Sequence, residues 1–214
     1  MSEKPILFNT EMVKAILNGS KTQTRRLPSS RIRDAWCDWD EYQCAVAPPG
    51  SRLETEEGFY KKCPPYKEGD ILYVRETWKQ ATAGTAGPGL IDLYLYKADE
   101  PQDTTGMMVE GRWHPSIHMP KEAARIFLRV TNVRLERLKD ISERDAISEG
   151  FDEEPIKDRN TNINFMCSVD CLQGSARGKF ALLWNTTVKP DTKDIYGWDA
   201  NPWVWVIEFE RVER

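Results

Sequence analysis

The sequence predicts an α+β fold, a β-barrel of long strands with short helices in the connections. Three patterns carry that expectation. Ile126, Leu128 and Val130 alternate with Phe127, Arg129 and Thr131, the period of a sheet with one covered face. Near the other end, Trp203, Trp205, Ile207 and Phe209 share one face and Val204 and Val206 the other, which turns polar at Glu208 and Glu210. A strand apolar on both sides at its start belongs inside a sheet, not at its edge. Between such strands lie short amphipathic stretches too brief for a helical bundle.

The elements follow in order. A helix is expected over 10–18, with Met12, Ala15, Ile16 and Leu17 at helical spacing, Thr10 as N-cap, Glu11 in the first turn and Gly19 as the stop. Residues 22–27 alternate Thr22, Thr24 and Arg26 with Gln23 and Arg25, which reads as an exposed strand. An insertion follows at 28–66. Its aromatics Trp36, Trp39, Tyr42, Phe59 and Tyr60 argue against simple disorder and suit a lid over the barrel mouth. Strands are expected at 70–76, 91–97, 123–137 and 202–212, with loops at 79–90 and 100–120. Gly84 to Gly89 and residues 152–164 read as mobile loops. Ser142 and Asp145 form a capping box for a helix over 142–149, flanked by a staple of Ile141 and Ala146 and ended by Gly150. A last helix over 177–186 carries Phe180, Leu183 and Trp184 on a core-facing stripe. We read 1–214 as a single domain with insertions at about 28–66 and 151–176.

Composition narrows the class. The chain has 214 residues, 40% of them hydrophobic and 30% charged, enough for one modest core. No apolar run approaches the roughly 20 residues of a membrane span. The first residues carry no apolar signal segment, so cytoplasmic residence is expected. Five cysteines at irregular spacing fit a reducing compartment. Cys37, Cys44 and Cys63 lack the spacing of a usual zinc knuckle, and Cys167 and Cys171 supply one close pair. The net charge of −4 draws the whole protein to no nucleic acid. Locally the balance reverses: Lys21, Arg25, Arg26, Arg31 and Arg33 stand without an acid among them, and 121–139 holds six cations against two acids. A basic groove on an acidic body suits a nucleotide or short RNA better than a long duplex.

The run Gly19-Ser20-Lys21-Thr22-Gln23-Thr24-Arg25-Arg26 places an amine, hydroxyls and two guanidinium groups at a helix-to-strand junction. Gly19, Lys21 and Arg26 resemble the G-x-K-x-x-E-x-R signature of the ASCH domain, a member of the PUA-like superfamily of small β-barrels. Thr24 stands where many of those domains have Glu. That departure resembles a bacterial branch, the N4-acetylcytidine amidohydrolases, which pair such a Lys and Thr with a Glu on a later strand. Glu76, in Gly69-Asp70-Ile71-Leu72-Tyr73-Val74-Arg75-Glu76-Thr77-Trp78, is the matching candidate. The resemblance covers the first helix, this strand and 201–212, and leaves out 27–62 and 151–178. Long relatives of this kind resemble phage or prophage proteins.

The resemblance implies hydrolysis of an N4-acylated cytosine, as nucleoside, nucleotide or RNA base, with no cofactor or metal. An amide needs a nucleophile, a base, an acid for the departing nitrogen and donors for the oxyanion. In one assignment Thr24 attacks, Lys21 takes its proton once its pKa has been lowered by burial or by Arg25 and Arg26, and Glu76 protonates the leaving amine. In another, Glu76 activates water while Lys21 and Thr24 hold the oxyanion. Arg26 and Arg75 are candidates for a phosphate, or for acids on neighbouring strands. Trp78 and Trp113 are candidate platforms for the base, and His118, between Pro115 and Pro120, is a candidate ligand wall. Trp203 and Trp205 read as core. Lys21 and Glu76 also read as a salt bridge between strands. Two further functions fit the family: a non-catalytic RNA-binding module, and a metal-assisted ribonuclease, for which Glu76 is the one clear acid near the basic residues.

Overall fold

The computed structural model describes residues 3–46, 54–84, 90–100, 107–109, 111–151 and 175–213. The expected mobile loops at Gly84 to Gly89 and 152–164 lie largely or wholly outside these residues, as do Cys167 and Cys171. The fold is α+β. A mixed five-stranded sheet has the order β1 (Glu3–Leu7), β3 (Ile71–Arg75), β7 (Phe127–Arg137), β8 (Trp203–Val212), β2 (Gln23–Arg26). A three-stranded sheet has β4 (Trp78–Gly84) between β5 (Leu90–Tyr96) and β6 (Met107–Val109). β1 and β2 end the larger order, and β8 is internal to it, as its two apolar faces required.

The chain divides into two compact units. The first comprises Met1–Lys21, Gly69–Val130 and Phe209–Arg214; the second comprises Thr22–Glu68 and Thr131–Glu208. In the first, β1 runs parallel to β3, with Glu3 opposite Ile71 and Leu7 opposite Arg75, and β3 runs antiparallel to β7, with Leu72 opposite Leu128. Leu72, Val74, Leu128 and Val130 are all buried, the alternation expected of a half-covered sheet. α1 (Thr10–Leu17) buries Val13, Ala15 and Ile16. Its N-cap is Asn9, not Thr10: the Asn9 side chain accepts from the Met12 N–H at 2.8 Å. Gly19 does end the helix, at φ +82°, where a Cβ would be strained. The segment expected as a loop after residue 78 is largely strand: β4 pairs with β5 from Trp78↔Tyr96 to Gly84↔Leu90 and with β6 at Ala81↔Val109.

In the second unit, β2 pairs antiparallel with β8, Thr24 facing Ile207 and Arg26 facing Trp205. The strand expected to be exposed is not: Gln23, Thr24 and Arg25 are buried. The 28–66 insertion is helical where described, in α2 (Ser30–Val46) and α3 (Glu56–Lys61). Trp36 joins them, its ring centroid 5.5 Å from that of Phe59. α4 (Glu143–Ser148) starts in the expected capping box, Asp145 N–H to Ser142 Oγ at 3.0 Å and Ser142 N–H to the Asp145 carboxylate at 3.2 Å. α5 (Ala176–Thr187) packs on α4, and Phe180, Trp184, Trp198, Ile141, Ala146 and Val204 form one apolar cluster. A final short helix, α6 (Lys193–Tyr196), precedes β8.

Candidate functional site

Within the first unit, Lys21 and the residue before Glu76 both border Phe8. The Phe8 N–H donates to the carbonyl of Arg75 at 3.2 Å, so the end of β1 is tied to the residue before Glu76. The Phe8 ring lies 5.7 Å from Lys21 Nζ. Lys21 is 2% exposed and is held at the foot of α1, its N–H donating to the Ala15 carbonyl at 2.9 Å. The burial of a lysine directly after a surface helix follows from Gly19, whose left-handed turn sends the chain back across the helix end.

Glu76 is 1% exposed. Its backbone N–H reaches the Met119 sulfur at 3.1 Å, and its carboxylate accepts two bonds from Arg125: Nε to Oε1 at 2.9 Å and Nη2 to Oε2 at 3.1 Å. Burial pushes the Glu76 carboxyl above the ordinary range; the bonds and charge of Arg125 pull it back without cancelling the rise, and the negative charge of Asp99 adds to it. Tyr96, under the Arg125 guanidinium, is raised by burial to about 12. A buried carboxylate with an elevated pKa is suited to passing protons near neutrality.

The Arg75 guanidinium is engaged by backbone carbonyls. Its Nε donates to the Met119 carbonyl at 2.9 Å and its Nη2 to the Ile117 carbonyl, so the guanidinium pins the turn at Ser116–His118. His118 in that turn is exposed. Trp78 begins β4 and exchanges backbone bonds with His114, at 3.2 Å and 2.8 Å. The two rings lie 5.0 Å apart at 31°, and the Trp78 indole N–H is buried with no hydrogen-bond partner among the described residues. Trp113 takes the Lys79 ammonium 4.5 Å from its ring centroid.

Thr24 and Arg26 belong to the second unit. Thr24 is buried in β2. Burial lowers the Arg26 pKa, against the raising influence of Glu149 and Tyr66. Arg25 is engaged by carboxylates: its side chain is fully buried against Glu136 at 3.2 Å, Glu149 at 3.3 Å and Asp145 at 3.6 Å. Burial pushes Asp145 upward, and this is outweighed by bonds from Ser142 and Gln23 and by the Arg25 charge, so its pKa is lowered. Arg33 donates to the Tyr196 hydroxyl at 3.0 Å and to the Pro28 carbonyl, a structural anchor for α2.

The second unit also holds an open pocket of about 710 Å³ walled by Lys61, Tyr66, Lys67, Glu68, Arg134 and Trp205, with Pro64, Val133 and Leu135. None of the residues singled out from the sequence as a site lines it. Trp205, read as core, is buried yet forms part of its wall.

Arg125 and Asp99 were missed at the sequence level. Arg125 sits in Ala123-Ala124-Arg125-Ile126-Phe127, where the strand pattern makes it one more outward cation, and only the fold brings it to Glu76. Among the described residues no group of three or more His, Cys, Asp or Glu is placed to hold a metal ion, and no helix is long and apolar enough to cross a membrane. Cys37 and Cys44 are exposed free thiols, and Cys63 is partly covered. Compared with family models, with curated proteins and with solved structures, the chain gives no match.

Proposed function

We propose that this chain is an amidohydrolase that removes the acyl group from an N4-acylated cytosine, with Lys21, Thr24 and Glu76 as its reacting residues. The observation that supports it most is the chemistry gathered in the first unit: a carboxyl raised by burial, and a lysine withdrawn from water beside the ring of Phe8, whose backbone N–H is bonded to the residue before that carboxyl. Surface salt bridges need neither burial nor an elevated carboxyl, and they contribute little to stability. Hydrolysis of an amide needs both a proton acceptor and a proton donor for the nitrogen. Glu76 serves as one or both, and Lys21 supplies either a base or a donor to the oxyanion. Trp78, with its ring against His114 and its indole N–H unsatisfied among the described residues, is the platform for a pyrimidine. The ASCH family and its PUA-like barrel belong to the same reading, supported by the order of helix, Gly19 turn and strand that the motif requires.

Incubation of the protein with N4-acetylcytidine, followed by chromatography for cytidine and acetate, tests this directly. Turnover that is lost in Glu76→Gln is the expected result. No turnover by the unaltered protein, with RNA binding that weakens steeply in salt, would assign it instead to the RNA-binding class. One feature favours that second reading: the pocket walled by Tyr66 and Trp205 carries Lys61, Lys67 and Arg134, aromatic faces and cations of the kind single-stranded nucleic acid uses.

A further inference from the structure

We propose that Arg125 is the positioning residue of Glu76: anchored by Asp99 and by the face of Tyr96, it grips both carboxylate oxygens and so fixes Glu76 as an ionised base at the start of turnover. This rests on the amidohydrolase reading and decides between its two mechanisms. Arginine has donors and no acceptor. A fork in which Nε meets Oε1 and Nη2 meets Oε2 therefore uses both oxygens as acceptors, which a protonated carboxyl satisfies poorly. The guanidinium is fixed in turn. Nη2 also donates to Asp99 Oδ1 at 2.9 Å, Nη1 bonds the other Asp99 oxygen, and the central carbon lies 3.9 Å from the Tyr96 ring centroid. Tyr96 is itself tied by its hydroxyl to the Ala123 carbonyl at 2.7 Å.

Arg125 is the guanidinium whose bonds to the Glu76 carboxylate the structure describes. Arg75, the neighbouring residue, is spent on the carbonyls of Met119 and Ile117. Lys21 stands beside Phe8. Glu11 and Lys14 pair with each other at 3.3 Å on α1, which packs against the turn carrying Asp99. Tyr96, raised by burial to about 12, is a neutral phenol at physiological pH. Burial and Asp99 favour a protonated Glu76; Arg125 is the group that opposes them.

The step that follows balances. Glu76 accepts one proton from water as the water oxygen bonds the acyl carbon. It then returns that proton to N4 as the C–N bond breaks, releasing the carboxylic acid and the free amine. Glu76 ends as a carboxylate, and Arg125 neither gives nor takes a proton.

Isotope-edited infrared spectroscopy reads the protonated-carboxyl band of Glu76, identified by its loss when Glu76→Gln is added to Arg125→Met. At neutral pH the unaltered protein should lack the band and Arg125→Met should show it. On N4-acetylcytidine, Arg125→Met should lower kcat about a hundredfold, the scale of a general base, with KM little changed and the acid limb of the pH profile displaced upward. Arg125→Lys, which keeps the charge and loses the fork, should fall between the two and carries the comparison if the Met variant does not fold. A band already present in the unaltered protein, or the same Glu76 ionisation in every variant, overturns the proposal. The expected infrared change without turnover by the unaltered protein upholds the clamp and removes the amidohydrolase reading.

Discussion

Replacing Arg25 by Met removes the cation at the centre of a buried ionic cluster in the second unit. The Arg25 side chain is 0% exposed and meets Glu136 at 3.2 Å, Glu149 at 3.3 Å and Asp145 at 3.6 Å. Removing one partner of a buried pair costs ~3–5 kcal/mol. Glu136 and Asp145 are about a quarter exposed and keep contacts with Arg134, so water and that second guanidinium absorb part of their loss. Glu149, at 3% side-chain exposure, is shielded from water, although the charge of Arg26 still acts on it. The expected cost is therefore the lower end, about 3 kcal/mol. At 2–4 °C per kcal/mol for a chain of this size, Tm should fall by ~6–12 °C. Adding Glu149→Leu should restore part of the loss, because it removes a carboxylate shielded from water that has lost its Arg25 partner. Denaturant unfolding with circular dichroism measures both. The pH dependence has a definite sign. Asp145 has a folded-state pKa below its unfolded value, so it stabilises above about pH 4 and loses that contribution as pH falls through the lower folded value. Arg25→Met should shrink the loss over that acid window. A single variant within about 1 kcal/mol of the unaltered protein, or a double variant no better than the single, would refute the argument.

Three further outcomes are expected. Leu128→Ala, fully buried opposite Leu72, should destabilise by ~2–5 kcal/mol in the same unfolding assay. Thr24→Ala and Lys21→Ala should each remove most of the kcat on N4-acetylcytidine, with the double variant little worse than either; near-full activity of Thr24→Ala would exclude a covalent acyl-threonine. Trp78→Ala should weaken nucleoside binding by ~1–3 kcal/mol by calorimetry, nearly independent of salt, whereas a log–log salt slope near about −4 would indicate phosphate binding.

What could be read from the sequence was what local chemistry decides. The Ser142–Asp145 capping box, the Gly19 stop and the alternation through 126–131 each depend on neighbours a few residues away, and each is present in the structure. The N-cap of α1 was displaced by one residue because Asn9 and Thr10 are both competent caps. β4 was hidden because Lys79-Gln80-Ala81-Thr82-Ala83-Gly84 has no apolar alternation; partners on both sides, β5 and β6, make it a strand. The depth of β2 was hidden too, since Gln23 and Arg25 are buried against the carbonyl and carboxylate of Asp145 and the carboxylate of Glu149, more than a hundred residues away in sequence. The same limit applies to the candidate site. Glu76 stood out by its motif, while Arg125 and Asp99 carry no pattern of their own and gain meaning only from the fold.

β7 and β8 each contribute residues to both compact units, β8 switching between them at Glu208 and Phe209. Neither unit can therefore be completed from a contiguous piece of chain. On the ribosome, β2 waits for a strand that emerges some 180 residues later, and the first unit waits for the last residues of that same strand. Until then, the polar side of β2 and the apolar side of the central strands are open to chaperones or to other nascent copies. Separate expression of residues 1–130 should yield insoluble material, and acquisition of protease resistance should follow the synthesis of β8 in a single step.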